Sequence, residues 1–294
     1  MRPRQAILVA GVTLLAALLR FPTLDVQSFW LDEAVTVEVL RGSLGHVLSG
    51  VVNSESTPPL YYVLAWLWSQ LFGLGEVGLR SLSALLGTAA IPVAWAAGRR
   101  LAGSRTGLIA ALLAAVNPLL IWYSQEARSY ALLVLLAALS FLLFLRALDD
   151  PSRDRLVAWG VVGALALATH YFAFFILLAE VALFVRAHGV RAVLPAAAPM
   201  AIAGVALAPL LVHQASFQRA GFISGEPLGK RVAQVPKQLL IGYSSPAQVA
   251  TGVAAALLSL FGVWLLVRRT GERTRRRAGL AANTGGAVLL LPLA

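Results

Sequence analysis

Cysteine is absent from this chain, which excludes disulfides and thiolate metal sites. Charge is scarce: 13% of residues are charged, against roughly 25% in an ordinary soluble domain. Lysine is nearly missing, occurring only at Lys230 and Lys237, and a composition this rich in Arg and Ala fits a GC-rich bacterial genome. No phosphate-cradling glycine loop, nucleophile elbow or zinc signature occurs. His170 has no second histidine near it in sequence, so no metal triad is indicated. No ligand set demands a divalent metal; a weakly bound divalent cation stays open, and no other cofactor is implied.

What is present is apolar. The 294 residues are 59% hydrophobic with a mean hydropathy of +0.79. Several uncharged runs are long enough to cross a ~30 Å hydrocarbon core at 1.5 Å per residue. A polytopic, all-α membrane bundle forming a single membrane domain over 1–294 is expected. Its spans are placed near 6–21, 79–97, 107–121, 130–147, 156–169, 172–185, 193–212 and 249–267, with a partial one at 280–294. The first resembles a signal peptide, yet no small-residue cleavage site follows, so an uncleaved span is expected. The basic cluster near the end, followed by a broken apolar run, is expected to mark a C-terminally truncated chain, inactive if this is the whole product.

The net charge of +11 does not point to nucleic acid, because the arginines sit in short stretches between apolar segments. Leu60–Phe72 is too short for a comfortable span and falls in the range of interfacial helices. If it does not cross, sixteen of the 24 basic residues lie on the cytoplasmic side, including Arg99, Arg100, Arg146 and the 268–277 cluster. Making it a span would put Arg99–Arg105 and the 268–277 cluster outside. The positive-inside rule therefore selects a cytoplasmic N-terminus, with loops 23–78 and 213–248 external. The first of these is expected to carry interfacial helices, one amphipathic after Asp32 and one over Leu60–Phe72. The turns at Tyr123–Tyr130 and His170–Tyr171 fall on the same external side.

Chemistry-bearing residues collect on that side. Phe29-Trp30-Leu31-Asp32-Glu33 places two adjacent carboxylates just beyond the first span. Neighbours on a helix point in different directions, so they divide roles: one a general base, the other receiving hydrogen bonds. An acidic helix start favoured by the dipole is the plainer alternative. Tyr123, Glu126, Arg128 and Tyr130 share an external turn, where an arginine could hold a phosphate in bidentate fashion, although an ordinary wet turn would look the same. Thr57-Pro58-Pro59-Leu60-Tyr61-Tyr62 stiffens entry to a short helix. Arg80 begins the next span, where snorkelling is the bland account. His170 and Tyr171 form a hairpin tip. Glu180 falls within a span, six residues from Arg186, and a structural pairing there competes with a functional one.

Taken together, these stretches resemble the GT-C superfamily of polytopic glycosyltransferases, in particular the bacterial branch related to protein O-mannosyltransferases and the lipid A aminoarabinose transferase. The resemblance runs through Trp30–Glu33, Thr57–Tyr62, Glu76 to Ser83, Gly98–Leu101, Tyr123–Tyr130 and Thr169–Tyr171, over the first two-thirds of the chain. It implies a GT-C-like helical bundle in a bacterial inner membrane. It also implies hexosyl or mannosyl transfer, usually with inversion, from a polyprenyl-phosphate donor to an acceptor hydroxyl on lipid, protein or polysaccharide. Asp32 matches the catalytic carboxylate and Glu33 its acidic neighbour. Arg80, Tyr61, Tyr62, Tyr123, Glu126, Arg128, Tyr130, His170 and Tyr171 then become the substrate-binding candidates, with Arg219, Lys230 and Arg231 as further cations. Thr57 departs from the pattern, since relatives carry a basic residue before the double proline. The competing expectations are a non-catalytic or truncated membrane partner and, less favoured, a lipid or small-molecule transporter, which would place its charges at mid-membrane and show repeats.

Overall fold

The computed structural model describes residues 3–217, 227, 234, 237–242, 248–269 and 279. Among them there is no strand. Arg219, Lys230, Arg231, the 280–294 segment and most of the 268–277 cluster lie outside the described residues.

The helices run in chain order as α1 (Pro3–Leu18), α2 (Leu31–Leu40), α3 (Leu44–Ser54), α4 (Leu60–Phe72), α5 (Glu76–Ala102), α6 (Ser104–Val116), α7 (Pro118–Ser124), α8 (Tyr130–Asp149), α9 (Arg153–Thr169), α10 (Ala173–His188), α11 (Leu194–Ser216) and α12 (Gln248–Arg269). Helices α5, α8 and α11 are long and apolar enough to cross a membrane. The α6–α7 pair, bent by 60°, makes a fourth crossing if it is one span. The chain is an integral membrane protein with an all-helical bundle.

A single span was expected over 107–121, and the structure breaks it. Asn117 adopts an extended conformation, its side chain accepts from the Leu120 N–H at 3.0 Å, and Pro118 occupies the first position of α7. A capping asparagine followed by proline starts a new helix whatever the hydropathy around it. The bend turns α7 toward α5 and brings Ser124 against Gly87. A Cβ at Gly87 would lie 2.0 Å from Ser124 Oγ, so only glycine admits this approach.

Three apolar clusters hold the bundle. One packs α2, α3 and α4 onto the first turns of α5 and α8 through Val39, Leu40, Val51, Tyr62, Leu79 and Leu132. The 23–78 segment is thus built into the bundle end, including α3, which hydropathy alone does not announce. A second cluster joins α8, α9, α10 and α11 around Trp159 and Phe184 at the other end. A third, around Ala16, Ile91 and Ala115, seats α1 between α5 and α6.

Glu180 belongs to the second region. It is fully buried and accepts from Ser140 Oγ at 2.6 Å and Trp159 Nε1 at 2.8 Å. The pairing with Arg186 weighed from the sequence is not formed. Both bonds fall on Oε2, which makes the carboxyl a polar tie to two neighbouring helices, while Oε1 is buried with no partner among the described residues.

Candidate functional site

The site grows from the first turn of α2. The chain leaves α1 through Arg20, which is almost completely buried. Its guanidinium donates to Ser124 Oγ at 3.2 Å and to the carbonyls of Ala16, Ala114 and Ala115 at 3.1, 3.2 and 2.9 Å. This fixes the segment that leads to Trp30, the N-terminal cap of α2. Asp32 and Glu33 then occupy the first turn, where the helix dipole favours negative charge.

The two carboxylates have opposite fates. Glu33 is fully buried. Its Oε1 accepts from Arg80 Nε and from the Ala127 N–H, both at 2.8 Å, and its Oε2 from Arg80 Nη2 at 2.6 Å. Arg80 Nη1 donates to the carbonyls of Leu24 and Gln27 at 2.7 and 2.6 Å, and Nη2 also to that of Ser28 at 3.2 Å. Every N–H of the Arg80 guanidinium is engaged. Two sequence expectations are corrected here. Arg80 does not snorkel and has no donor left for a phosphate, and Glu33 has no exposed oxygen with which to exchange a proton. The pair clamps α2, α5 and the Glu126–Ser129 turn together.

Asp32, by contrast, is half-buried, and its carboxylate makes no hydrogen bond or ion pair among the described residues. Its carbonyl accepts from Arg128 Nη1 at 3.2 Å. The same Nη1 reaches Thr36 Oγ1 at 3.1 Å and both oxygens of Glu55 at 2.9 and 3.0 Å. Arg128 is 8% exposed, yet its Nε and Nη2 make no hydrogen bond among the described residues. Burial pushes the Glu55 carboxyl up, against the pull of Arg128 and of the Tyr62 hydroxyl. The sequence reading missed Glu55 as a site residue: it lies 73 positions from Arg128 and carries no local signal.

Tyr61 and Tyr62, expected against substrate, are completely buried. The Tyr61 hydroxyl meets Ser83 Oγ at 3.2 Å, and that of Tyr62 meets Thr57 Oγ1 at 3.1 Å and Glu55. They position the site rather than line it. Thr57 thus has a structural role at the position where a basic residue was anticipated.

Tyr123, Tyr130 and His170 do reach the Arg128 side. Tyr123 and Tyr130 have ring centroids 4.5 Å apart, and Tyr130 lies 5.9 Å from the His170 ring. His170 Nδ1 accepts the Phe172 N–H at 3.2 Å, which leaves the ring proton on Nε2. Burial, and after it the Arg128 charge, push His170 down to about 4, so it is neutral at physiological pH. Tyr171 points away from this cluster. Its hydroxyl donates to Gln214 Oε1 at 2.8 Å, and Gln214 Nε2 donates to the Val51 carbonyl at 2.8 Å, tying α11 and the α9–α10 turn to α3.

Glu126 takes the Glu33 side. A cavity of about 180 Å³ there is lined by Trp30, Glu33, Arg80, Trp122, Gln125 and Glu126, among others. Glu126 Oε1 accepts the Trp122 indole N–H, while Oε2 is buried with no partner among the described residues. Burial pushes its carboxyl up to about 7, helped by the like charge of Glu33. Among the described residues no group of three or more His, Asp or Glu side chains is arranged to hold a metal ion.

Known proteins place this fold. Residues 56–214, just over half of the chain, match the dolichyl-phosphate-mannose-protein mannosyltransferase family; the match begins after Asp32 and Glu33. No curated protein matches in sequence. Among solved structures, ArnT from Cupriavidus metallidurans bound to undecaprenyl phosphate is similar over 100% of this chain and 59% of its own, with a TM-score of 0.60 and 19% identity. Apo ArnT from the same organism gives 0.52 at 18% identity, covering 97% and 58%. The archaeal oligosaccharyltransferase AglB from Archaeoglobus fulgidus, in complex with an inhibitory peptide and a dolichol-phosphate, gives 0.54 at 15% identity, covering 96% and 39%. At such identities the likeness establishes the fold, and the chain spans about three-fifths of ArnT's length. The fold includes α2, and the family match covers the segments that supply Arg80, Arg128 and His170. The chain therefore belongs to the dolichyl-phosphate-mannose-protein mannosyltransferase family, one of the GT-C glycosyltransferase families.

Proposed function

We propose that this chain transfers a hexosyl group of the mannosyl type from a polyprenyl-phosphate donor to an acceptor hydroxyl on lipid, protein or polysaccharide. The site faces the extracytoplasmic side of a bacterial inner membrane, with the N-terminus cytoplasmic. The observation that carries this reading is the meeting of Asp32, whose carbonyl accepts from Arg128 and whose carboxylate has no partner among the described residues, with Arg128, a guanidinium only partly engaged among them, at one end of a membrane bundle.

Asp32 accepts the proton of the acceptor hydroxyl as that oxygen attacks the anomeric carbon. The bond from the anomeric carbon to the phosphate oxygen breaks, and polyprenyl phosphate leaves with the electron pair. Arg128 Nε and Nη2 meet the charge that develops on the leaving phosphate. The neutral His170, through Nε2–H, donates a further hydrogen bond there. Tyr123 and Tyr130 offer aromatic surface to the sugar ring. Glu33 and Arg80 hold α2 and the 126–129 turn in register, which fixes the separation of base and cation. The undecaprenyl phosphate and dolichol-phosphate bound by the two similar proteins support a lipid-phosphate donor.

Proteoliposomes holding the full chain and radiolabelled polyprenyl-phosphate mannose are expected to move label onto an envelope acceptor fraction. Label that crosses the bilayer still attached to its polyprenyl phosphate, with no transfer, would show a transporter and overturn the reading.

A further inference from the structure

The far end of α5 and α8 holds a second cavity that the transfer chemistry leaves unused. It measures about 510 Å³ and is lined by Trp95, Ala96, Arg99, Arg100, Leu142, Arg146 and Asp149. Nineteen residues of α5 separate Arg99 from Arg80, about 28 Å at 1.5 Å per residue, which is close to the ~30 Å hydrocarbon thickness. The cavity therefore opens at the opposite membrane face from Asp32.

Its charges do not cancel. Arg100 pairs with Asp149 at 2.7 Å, whereas Arg99 and Arg146 have no carboxylate partner among the described residues. The Arg99 guanidinium lies 5.1 Å above the Trp95 ring, which holds it over the cavity. Trp95 is 8% exposed, and its indole N–H is buried with no acceptor among the described residues. A buried donor without a partner is costly, and this one lines a cavity carrying two positive charges with no carboxylate partner among the described residues.

We infer that this cavity binds the phosphate headgroup of an anionic phospholipid. Arg99 and Arg146 contact the phosphate oxygens and Trp95 Nε1 donates to an oxygen at the glycerol level. A lipid is the occupant because the largely polar cavity sits between α5 and α8, two helices long and apolar enough to cross the bilayer, and Ala96 and Leu142 in its lining give an acyl chain an apolar path along them. Hydrogen bonds to a charged group are worth about 1.5–3 kcal/mol each, so losing one arginine is expected to weaken binding at least tenfold.

The test is lipid-dependent thermal stability of the full chain in nanodiscs or detergent. Added phosphatidylglycerol is expected to raise the melting temperature, while phosphatidylcholine and inorganic phosphate are not. The double variant Arg99→Gln/Arg146→Gln should lose that rise. Trp95→Phe, which keeps the ring and removes the N–H, should need several-fold more phosphatidylglycerol for the same rise. Arg155→Gln, whose guanidinium pairs with Asp150 outside the cavity, should behave as wild type. An undiminished rise in the double variant would overturn the assignment, as would an equal rise with inorganic phosphate. If the double variant fails to fold, the Trp95→Phe titration decides alone, and a wild-type curve there is the contrary result.

Discussion

Two arginines flank the first turn of α2, and they differ in how much of each is used. Arg80 sits against Glu33 with every N–H engaged. Arg128 sits against Glu55 through Nη1 alone, and its other edge stays unsatisfied among the described residues. Both are buried beside a carboxylate, so burial and ion pairing alone would rank them as equals. The count of engaged donors separates them. A saturated guanidinium is a fastener, whereas one held by a single nitrogen is positioned and keeps binding capacity for an anion.

That contrast is open to direct attack by mutation. Replacing Arg80 by Leu leaves the Glu33 charge buried and unpaired, a loss of about 3–5 kcal/mol; the chain is expected to disappear from the membrane fraction or to melt far below wild type. Arg128→Lys retains a charge near Glu55 but loses the planar edge. Transfer is expected to fall about 10²-fold with the melting temperature nearly unchanged, by analogy with removing one donor to a developing anion. Should Arg80→Leu fold normally while Arg128→Lys unfolds, the two roles are reversed.

A smaller effect concerns Glu126, whose carboxyl is raised to about 7 in the folded chain. A carboxyl that holds its proton more tightly when folded stabilises the fold at low pH, and that contribution is lost as pH rises through the folded value. Melting temperature should therefore fall between about pH 5 and pH 8, and Glu126→Gln should flatten that fall by about 2–4 °C. The smallest expected change comes from chelation. On the proposed role of Arg128 at the phosphate, EDTA should leave the transfer rate within about twofold, and a larger loss would show that a divalent cation shares this work.

Much of the fold was legible because its signals are local. The double proline at Pro58–Pro59 and the glycine at Gly73 bracket α4 at Leu60–Phe72, the segment marked out by hydropathy. That the two adjacent carboxylates meet different surroundings also followed from helix geometry alone. What escaped depends on side chains distant in sequence. Nothing near Glu55 announces Arg128, and nothing near Arg80 reveals that three carbonyls of the 24–28 stretch would consume its donors. Glu180 shows the same limit: its neighbour Arg186 was the obvious partner in sequence, but the helix turns it elsewhere, and Ser140 and Trp159 take its place. The α6–α7 break had a signal, Asn117-Pro118, that the apolar run around it outweighed.

The most direct measurement is single-turnover transfer by Asp32→Asn in proteoliposomes, read together with donor binding. The amide keeps the size and the helix position but is not a base. Binding of polyprenyl-phosphate mannose is expected to stay within about twofold of wild type, because no contact to the donor phosphate is removed. Transfer should fall by about 10³-fold, within the range of a lost general base. A variant that binds donor and transfers at the wild-type rate would contradict Asp32 as the base.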